Sequence, residues 1–401
     1  MSRFAGFRLA FVVPRYGAGV VGGAETLARG LAERLVLEGA DASVFTTCAD
    51  NHFTWENVLP EGAGRDGGVS VRRFRTNPRR VDLFHSIQGR IAEGFSVPIE
   101  DQMTWLAEGV NSDGLLDALA REIDRFDAVF LLPYLFGTTF WAARVAGRKS
   151  ILVPCLHDEP YARLPVFRLL FESVGGFVFN AEAEKRLAER LFGLGGRPSG
   201  VAGLGFDPEP PGNGERFRRD RGLGEDYLLY FGRKEEGKGV LVLVDWFMKA
   251  RRRGCLKGTL VLAGDGKAAL PADARGLVLD LGFLAPEEKR DAVAGARTVC
   301  QLSRNESFSI VLMESWLQGT PVIVHAGCPV TREHCESSGG GLWAANAAEF
   351  AEAAARIGRD RDLRAAMGRA GRAYVLSNYG WDAVMGRVSG VLDDAKGAVR
   401  A

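Results

Sequence analysis

An α/β fold of two domains, each built on a parallel sheet, is the class this 401-residue sequence predicts. Three observations carry it. Short apolar or β-branched runs alternate with helix-period stretches, the pattern of strand–helix–strand units. That pattern starts twice, and each time a glycine-rich loop follows the first strand, at residues 14–25 and 232–239. Between the two starts lies Pro208-Glu209-Pro210-Pro211-Gly212-Asn213-Gly214, the clearest breaker cluster in the chain.

Composition fits a globular chain long enough for two ordinary domains, with 46% hydrophobic and 25% charged residues. Lys and Arg number 51 against 50 Asp and Glu, a balance that gives no support to nucleic-acid binding. The first eight residues lead straight into a strand and lack the h-region of a signal peptide. No apolar run reaches about 18 residues, so no spanning helix is expected. The six cysteines are scattered without a Cys-x-x-Cys pair, which points to a reducing, cytoplasmic setting and no zinc site.

In chain order, Leu9 to Val13 reads as a buried strand. After the glycine loop, Leu27, Leu31 and Leu35 recur every fourth residue with alanines beside them, a helix packed closely on a sheet. Val44 to Thr47 is the next strand, so the opening is a Rossmann-like β–loop–α–β half. Gly22 and Gly23 stand where the helix begins, a place where backbone N–H groups can meet an anion. The glycines do not spell Gly-x-Gly-x-x-Gly, which argues against a nicotinamide cofactor.

Residues 72–80 hold five arginines, read first as a solvated strand end and second as a seat for an anionic acceptor or lipid surface. Phe84, Ile87, Ile91 and Phe95 keep helical spacing and read as core; Leu115, Leu116, Leu119 and Ile123 mark another helix. Strands at residues 127–132 and 150–156 follow, and His157, one of only five histidines, sits at the exit of the second. Ligands bind at such strand ends in open parallel sheets.

The second half opens with the strand 227–231 and the loop Gly232-Arg233-Lys234-Glu235-Glu236-Gly237-Lys238-Gly239. The loop fits Gly-x-x-x-x-Gly-Lys, but a P-loop next needs Ser or Thr for magnesium and position 239 is glycine. Strand 259–263 ends in Gly264-Asp265-Gly266. Asp360-Arg361-Asp362 has the look of a metal-binding Asp-x-Asp, yet it precedes a helix and reads as its cap; no metal site is expected.

One stretch organises the rest: Ser303-Arg304-Asn305-Glu306-Ser307-Phe308-Ser309-Ile310-Val311-Leu312-Met313-Glu314. It lies between a strand and a helix that Gly319 and Pro321 end. Ser307 and Ser309 can cap that helix, and the N–H groups around Phe308, Ser309 and Ile310 would face an anion. Glu306 in the loop and Glu314 in the helix flank this start, which suits a ligand with phosphate at one end and hydroxyls at the other.

This stretch resembles the donor-binding motif of glycosyltransferase family 4, a retaining group with the GT-B fold. Glu306, Phe308-Ser309-Ile310 and Glu314 fall on its positions, and Glu314 to Val322 matches its Glu-Ala-x-x-x-Gly-x-Pro-Val with Ser315 in place of alanine. Residues 232–239 resemble the family's Gly-Arg-x-x-x-x-Lys-Gly, and Gly22-Gly23-Ala24-Glu25 its first loop. The phrases Pro133-Tyr134-Leu135 and Cys155 to Tyr161 are similar to a bacterial surface-polysaccharide branch.

The resemblance implies a GT-B fold, two Rossmann-like domains facing across a cleft. Its divisions would be an acceptor domain at 1–207, a linker at 208–225 and a donor domain at 226–380, with a last helix at about 381–401 crossing back to the first domain. It implies sugar transfer from a nucleotide-sugar donor, with retention and without a metal or other cofactor, to a glycan, lipid-linked or small-molecule acceptor. Arg233 and Lys238 would hold the diphosphate, with Gly232, Gly22 and Gly23 close by. Gly264 and Asp265 would lie near the base, Glu314 on the ribose, Glu306 on the C3/C4 hydroxyls and His157 at the C6 end of the sugar. A cytoplasmic protein follows, with membrane contact only at its periphery. The alternatives are a non-hydrolysing sugar-nucleotide 2-epimerase and a catalytically silent GT-B binding partner.

Overall fold

A computed structural model describes residues 2–20, 22–224 and 226–400, the last three by backbone alone. Val21 of the glycine loop, Glu225 at the end of the expected linker, and the terminal Met1 and Ala401 lie outside the described residues. The chain forms two compact units, Met1–Gly205 with Trp381–Ala401, and Phe206–Gly380.

The first unit holds β1 (Arg8–Val12), β2 (Asp41–Thr47), β3 (Gly62–Asp66), β4 (Val69–Phe74), β5 (Ala128–Leu131), β6 (Ser150–Leu152), β7 (Gly176–Phe179) and β8 (Ser199–Val201). They lie in the order β3-β4-β2-β1-β5-β6-β7-β8, parallel except for the β3–β4 pair. The middle strands β5, β6 and β7 are buried along their whole length, as expected of a parallel sheet covered on both faces. The helix Gly23–Leu37 buries Leu27, Ala28, Leu31, Ala32 and Leu35. The terminal helix Trp381–Arg400 belongs to this unit because glycines let it approach closely. A Cβ at Gly205 would sit 2.2 Å from the Trp381 ring, and one at Gly200 would sit 2.7 Å from Val391.

The second unit holds β9 (Tyr227–Phe231), β10 (Thr259–Ala263), β11 (Val278–Asp280), β12 (Thr298–Gln301), β13 (Val322–His325) and β14 (Gly341–Ala344). Their order is β11-β10-β9-β12-β13-β14, all parallel. This is the doubly wound Rossmann order, with its switch point between β9 and β12.

Three expectations are corrected. The stretch 208–225 is not a free linker but part of the second unit. It contains the helix Gly214–Asp220, capped by Asn213 and burying Phe217. Upstream, the Gly212 N–H donates to Gln318 Oε1 at 2.8 Å and the Asn213 N–H to Asp291 Oδ1 at 2.6 Å, while Arg216 pairs with Asp291. The prolines and glycines there serve close packing rather than freedom. Phe95 is not core: the helix Val81–Ala92 ends before it and leaves it 60% exposed. Ser309 occupies the N-cap of the helix Ile310–Leu317, but its side chain caps nothing.

The arginine cluster is mostly committed within the first unit. Arg72 pairs with Glu122, Arg73 donates to the Tyr16 carbonyl, and Arg79 and Arg80 both bond Glu108. Arg75 is exposed. Among the described residues no helix is long and apolar enough to cross a membrane.

Gly214 gives a test of the packed connector. A Cβ there would lie 2.3 Å from the Gly295 Cα, against backbone that cannot swing aside. Gly214→Ala is expected to lower unfolding free energy by about 1–3 kcal/mol, the usual range for overpacking, whereas a free linker would tolerate it. Urea denaturation measures the difference.

Candidate functional site

The second unit's site sits at its switch point because β9 and β12 are neighbours there. After β9 the chain turns at Gly232 and runs through Arg233, Lys234 and a short 3-10 turn at Glu236–Lys238. It enters the helix Val240–Arg252 at Gly239, whose φ is +70°. A side chain could not fit at Gly239: its Cβ would be 2.3 Å from the Leu302 carbonyl oxygen just beyond β12. That approach brings the two loops together. The Ser303 hydroxyl, donating toward the Gly237 carbonyl at 3.3 Å, adds to the seam.

The two loops meet chemically at one ion pair. Lys238 Nζ lies 2.8 Å from Glu306 Oε1, and Gln301 Nε2 donates to the same oxygen at 3.4 Å. Arg233 pairs with Glu235 at 3.1 Å. Glu314, one turn into the helix Ile310–Leu317, pairs with Lys289 at 2.6 Å. Ser309 holds φ +70°, a left-handed conformation that a non-glycine residue adopts at some energetic expense. Such strain recurs at ligand clamps, and here it turns the chain into the helix start. Ser307 is half-buried and Ile310 is the first residue of the helix. Phe308 is buried under the loop, edge-on to His334 and Tyr379 and stacked with Phe206.

Gly264 and Asp265 lie at the end of β10, beside this loop. A Cβ at Gly264 would meet the Gly232 carbonyl at 2.1 Å, and the Asp265 carbonyl accepts the Lys234 N–H at 2.8 Å. Lys234 itself is buried and paired with Asp280 at 2.5 Å. It therefore braces the end of the sheet while Arg233 and Lys238 remain half-exposed.

The first unit carries its own strand-end cluster. Gly22 caps the helix Gly23–Leu37, and a Cβ there would collide with the Glu25 carboxylate. Glu25 is held by the buried Arg15 at 2.5 Å, whose guanidinium also donates to the Asp50 carbonyl. His157 lies beyond β6, with Nδ1 3.9 Å from Glu159 Oε1, which also accepts the Tyr134 hydroxyl at 2.8 Å. Behind it, the fully buried Glu184 accepts N–H groups from Leu156 and Asn180, both at 2.6 Å, and burial pushes its carboxyl up to about 8.

Arg233, Lys238, Glu306, Ser307, Phe308, Ser309, Ile310, Glu314, Gly232, Gly264 and Asp265 thus share one sheet edge, while Gly22, Gly23 and His157 belong to the edge of the other sheet. Sequence reasoning missed Lys289 and Gln301. Lys289 carried no signal, being one charge among several on the helix Pro286–Gly295. Gln301 did carry one: it is the lone amide in a strand run of β-branched and apolar residues. Asp360, by contrast, does cap its helix, accepting the Leu363 N–H at 2.8 Å.

Two parallel-sheet units, one of them doubly wound with paired cations, carboxylates and a strained helix start at its switch point, make up the GT-B fold that the solved glycosyltransferases below share. HepE from Anabaena, solved in complex with UDP and glucose, shares this fold with a TM-score of 0.68 over 96% of this chain and 99% of its own, at 18% identity. Residues 214–374 match the family model of glycosyl transferases group 1. D-inositol 3-phosphate glycosyltransferase from Jonesia denitrificans is 26% identical over 77% of this chain and 76% of its own. GDP-mannose-dependent alpha-(1-6)-phosphatidylinositol monomannoside mannosyltransferase from Mycobacterium tuberculosis is 29% identical over 63% and 72% respectively. These likenesses support a group 1, family 4-type glycosyltransferase that uses a nucleotide-sugar donor.

His334 offers a pH test of the layer under the Glu306–Ser309 loop. It packs against Phe308, its Nδ1 is 2.9 Å from the Tyr374 hydroxyl, and burial pushes its imidazole down to about 4. The unfolded chain protonates near pH 6.5, so the folded state, which keeps His334 neutral, has its full stability above that pH. Stability is lost as pH falls from 6.5 toward 4, by roughly 3 kcal/mol from this group. His334→Gln should flatten that part of the curve, as read by urea unfolding at pH 7 and pH 4.5.

Proposed function

We propose that this chain is a retaining, metal-independent hexosyltransferase that moves a sugar from a nucleoside diphosphate to a hydroxyl of a polyol or lipid-linked glycan. The observation that carries the reading is the 2.8 Å pair of Lys238 with Glu306, which puts a cation and a carboxylate on one edge of a nucleotide-binding sheet. In this reading Arg233 and Lys238 face the diphosphate, Glu306 the sugar hydroxyls and Glu314 the ribose. Gly264 and Asp265 lie toward the base. His157 and the Gly22-Gly23 helix start serve the sugar and acceptor side.

Chemistry follows from charge. As the C1–O bond to the diphosphate breaks, negative charge grows on the leaving β-phosphate. Two fixed cations and a helix start stabilise that charge most when bond breaking is advanced. The acceptor oxygen bonds C1 on the face the phosphate leaves, and its proton passes to a leaving-group oxygen. Retention results without a covalent sugar–enzyme intermediate. Arg233 exchanges its carboxylate partner for phosphate on donor binding, while Lys238, with three N–H donors, keeps one on Glu306 and turns another to the phosphate.

The polyol and glycolipid acceptors are supported by the names of the inositol phosphate and phosphatidylinositol mannoside enzymes that the chain is similar to. Residence in the reducing cytoplasm belongs to the same proposal and is supported by the scattered spacing of the cysteines. Contact with the membrane, where the acceptor is a lipid, would be peripheral.

Turnover of UDP-, GDP-, dTDP- and ADP-sugars with and without inositol-type acceptors tests the reading. Transfer with retention supports it; a sugar altered in the donor alone would mean an epimerase, and no turnover of any donor a silent partner. Arg233→Ala and Lys238→Ala should each lower kcat by roughly 10²-fold, the scale for losing one transition-state donor. Activity is expected to survive EDTA, and its loss with rescue by manganese would overturn the metal-free mechanism.

The two glutamates separate by what each one's loss changes. Glu314→Gln should weaken binding of the free nucleoside diphosphate, since a ground-state contact is lost. Glu306→Gln should leave that affinity nearly intact and depress kcat. Calorimetry and steady-state kinetics read both, and the reverse pattern would exchange the two assignments.

A further inference from the structure

Gln301 is out of place where it lies. It is the last residue of β12, 2% exposed, paired in register with Val324 and preceded by Val299 and Cys300, all of them buried. A strand buried on both faces calls for apolar side chains there. The amide has not been neutralised by partners: among the described residues its buried Oε1 has no hydrogen-bond partner. An unmatched acceptor in the core works against folding, so the residue carries a stability defect that leucine or methionine would remove.

Its other end explains what the defect accompanies. Gln301 Nε2 donates to Glu306 Oε1, the oxygen that also takes Lys238 Nζ. The opposite amide orientation would set Oε1 against a carboxylate, so the donor side belongs toward Glu306. With both donors on Oε1, the carboxylate is gripped from the strand side and the loop side. Among the described residues no donor reaches Oε2, which stays available to a hydroxyl.

We propose that Gln301 is a positioning residue: its amide N–H, with Lys238, fixes the Glu306 carboxylate so that Oε2 meets a hydroxyl of the transferred sugar. This rests on the reading of Glu306 as a sugar contact. Lys238 alone, on a flexible stem, restrains the oxygen's distance but not the plane of the carboxylate. A second donor from a rigid strand restrains that plane. Polar groups that hold a functional side chain at the expense of stability are a recurring trade between stability and activity.

The test uses Gln301→Leu and Gln301→Met, both apolar and close in volume. Each should keep or raise Tm, leave calorimetric affinity for the free nucleoside diphosphate unchanged, and lower kcat with the full donor by about tenfold, the effect of losing one charge-assisted hydrogen bond. A merely structural role predicts the opposite, a lower Tm. Wild-type kcat in either variant, beside an impaired Glu306→Gln, overturns the role of Gln301 while sparing that of Glu306. A fully active Glu306→Gln removes the Glu306 reading and the proposal with it. A lower Tm in both variants, whatever their kcat, makes Gln301 a packing residue and also overturns it.

Discussion

The contact between Lys238 and Glu306 is the constraint on which the second unit of this protein depends. The two residues are 68 positions apart, and no local preference brings them together. They meet because β9 and β12 are neighbours in a doubly wound sheet, and because Gly239 lets one loop lie against the Leu302 carbonyl of the other. Remove either condition and a cation and a carboxylate sit on separate loops, each solvated and without fixed geometry. With both, the charges are preorganised, which matters because reorganising dipoles during a reaction is what a solvent does poorly.

Charge around that pair is arranged in two tiers. In Lys234–Asp280 the lysine is buried at the end of the sheet, where losing its partner would leave its charge without solvent. Arg233–Glu235, Lys238–Glu306 and Lys289–Glu314 are partly exposed, so their cations can reach a ligand at modest expense. A ligand bearing phosphate and hydroxyls engages the second tier and leaves the first intact. The sheet edge thus keeps its shape while its surface charges respond.

Beneath the loop, packing fixes what hydrogen bonds do not. Ser309 adopts a left-handed turn with no cap from its own hydroxyl, so its conformation is held by its surroundings. Phe308 is clamped among Phe206, His334 and Tyr379, and Tyr374 holds the His334 ring. The Phe206 N–H in turn donates to the Tyr379 carbonyl, so the same aromatic layer ties the two ends of the second unit together. Edge-on and stacked rings make such a layer directional as well as apolar.

Sequence by itself determined the α/β class, the two starts of the strand–loop–helix pattern, and the motif residues Arg233, Lys238, Glu306 and Glu314. These are legible because period, glycine placement and loop chemistry are local properties. It misread residues 208–225, since prolines and glycines that permit close packing look the same in a sequence as those that permit freedom. It placed serine at a helix start and expected a side-chain cap, although the left-handed backbone at Ser309 leaves the hydroxyl turned away from that use. Only the tertiary structure decided that Lys238 and Gln301 share one oxygen of Glu306, that Lys289 answers Glu314, and that Glu184 lies behind His157. Apart from Gln301–Glu306, five residues apart, these are contacts between elements distant in the chain, fixed by strand order and by the glycines that let backbones approach, and none is written in any local pattern.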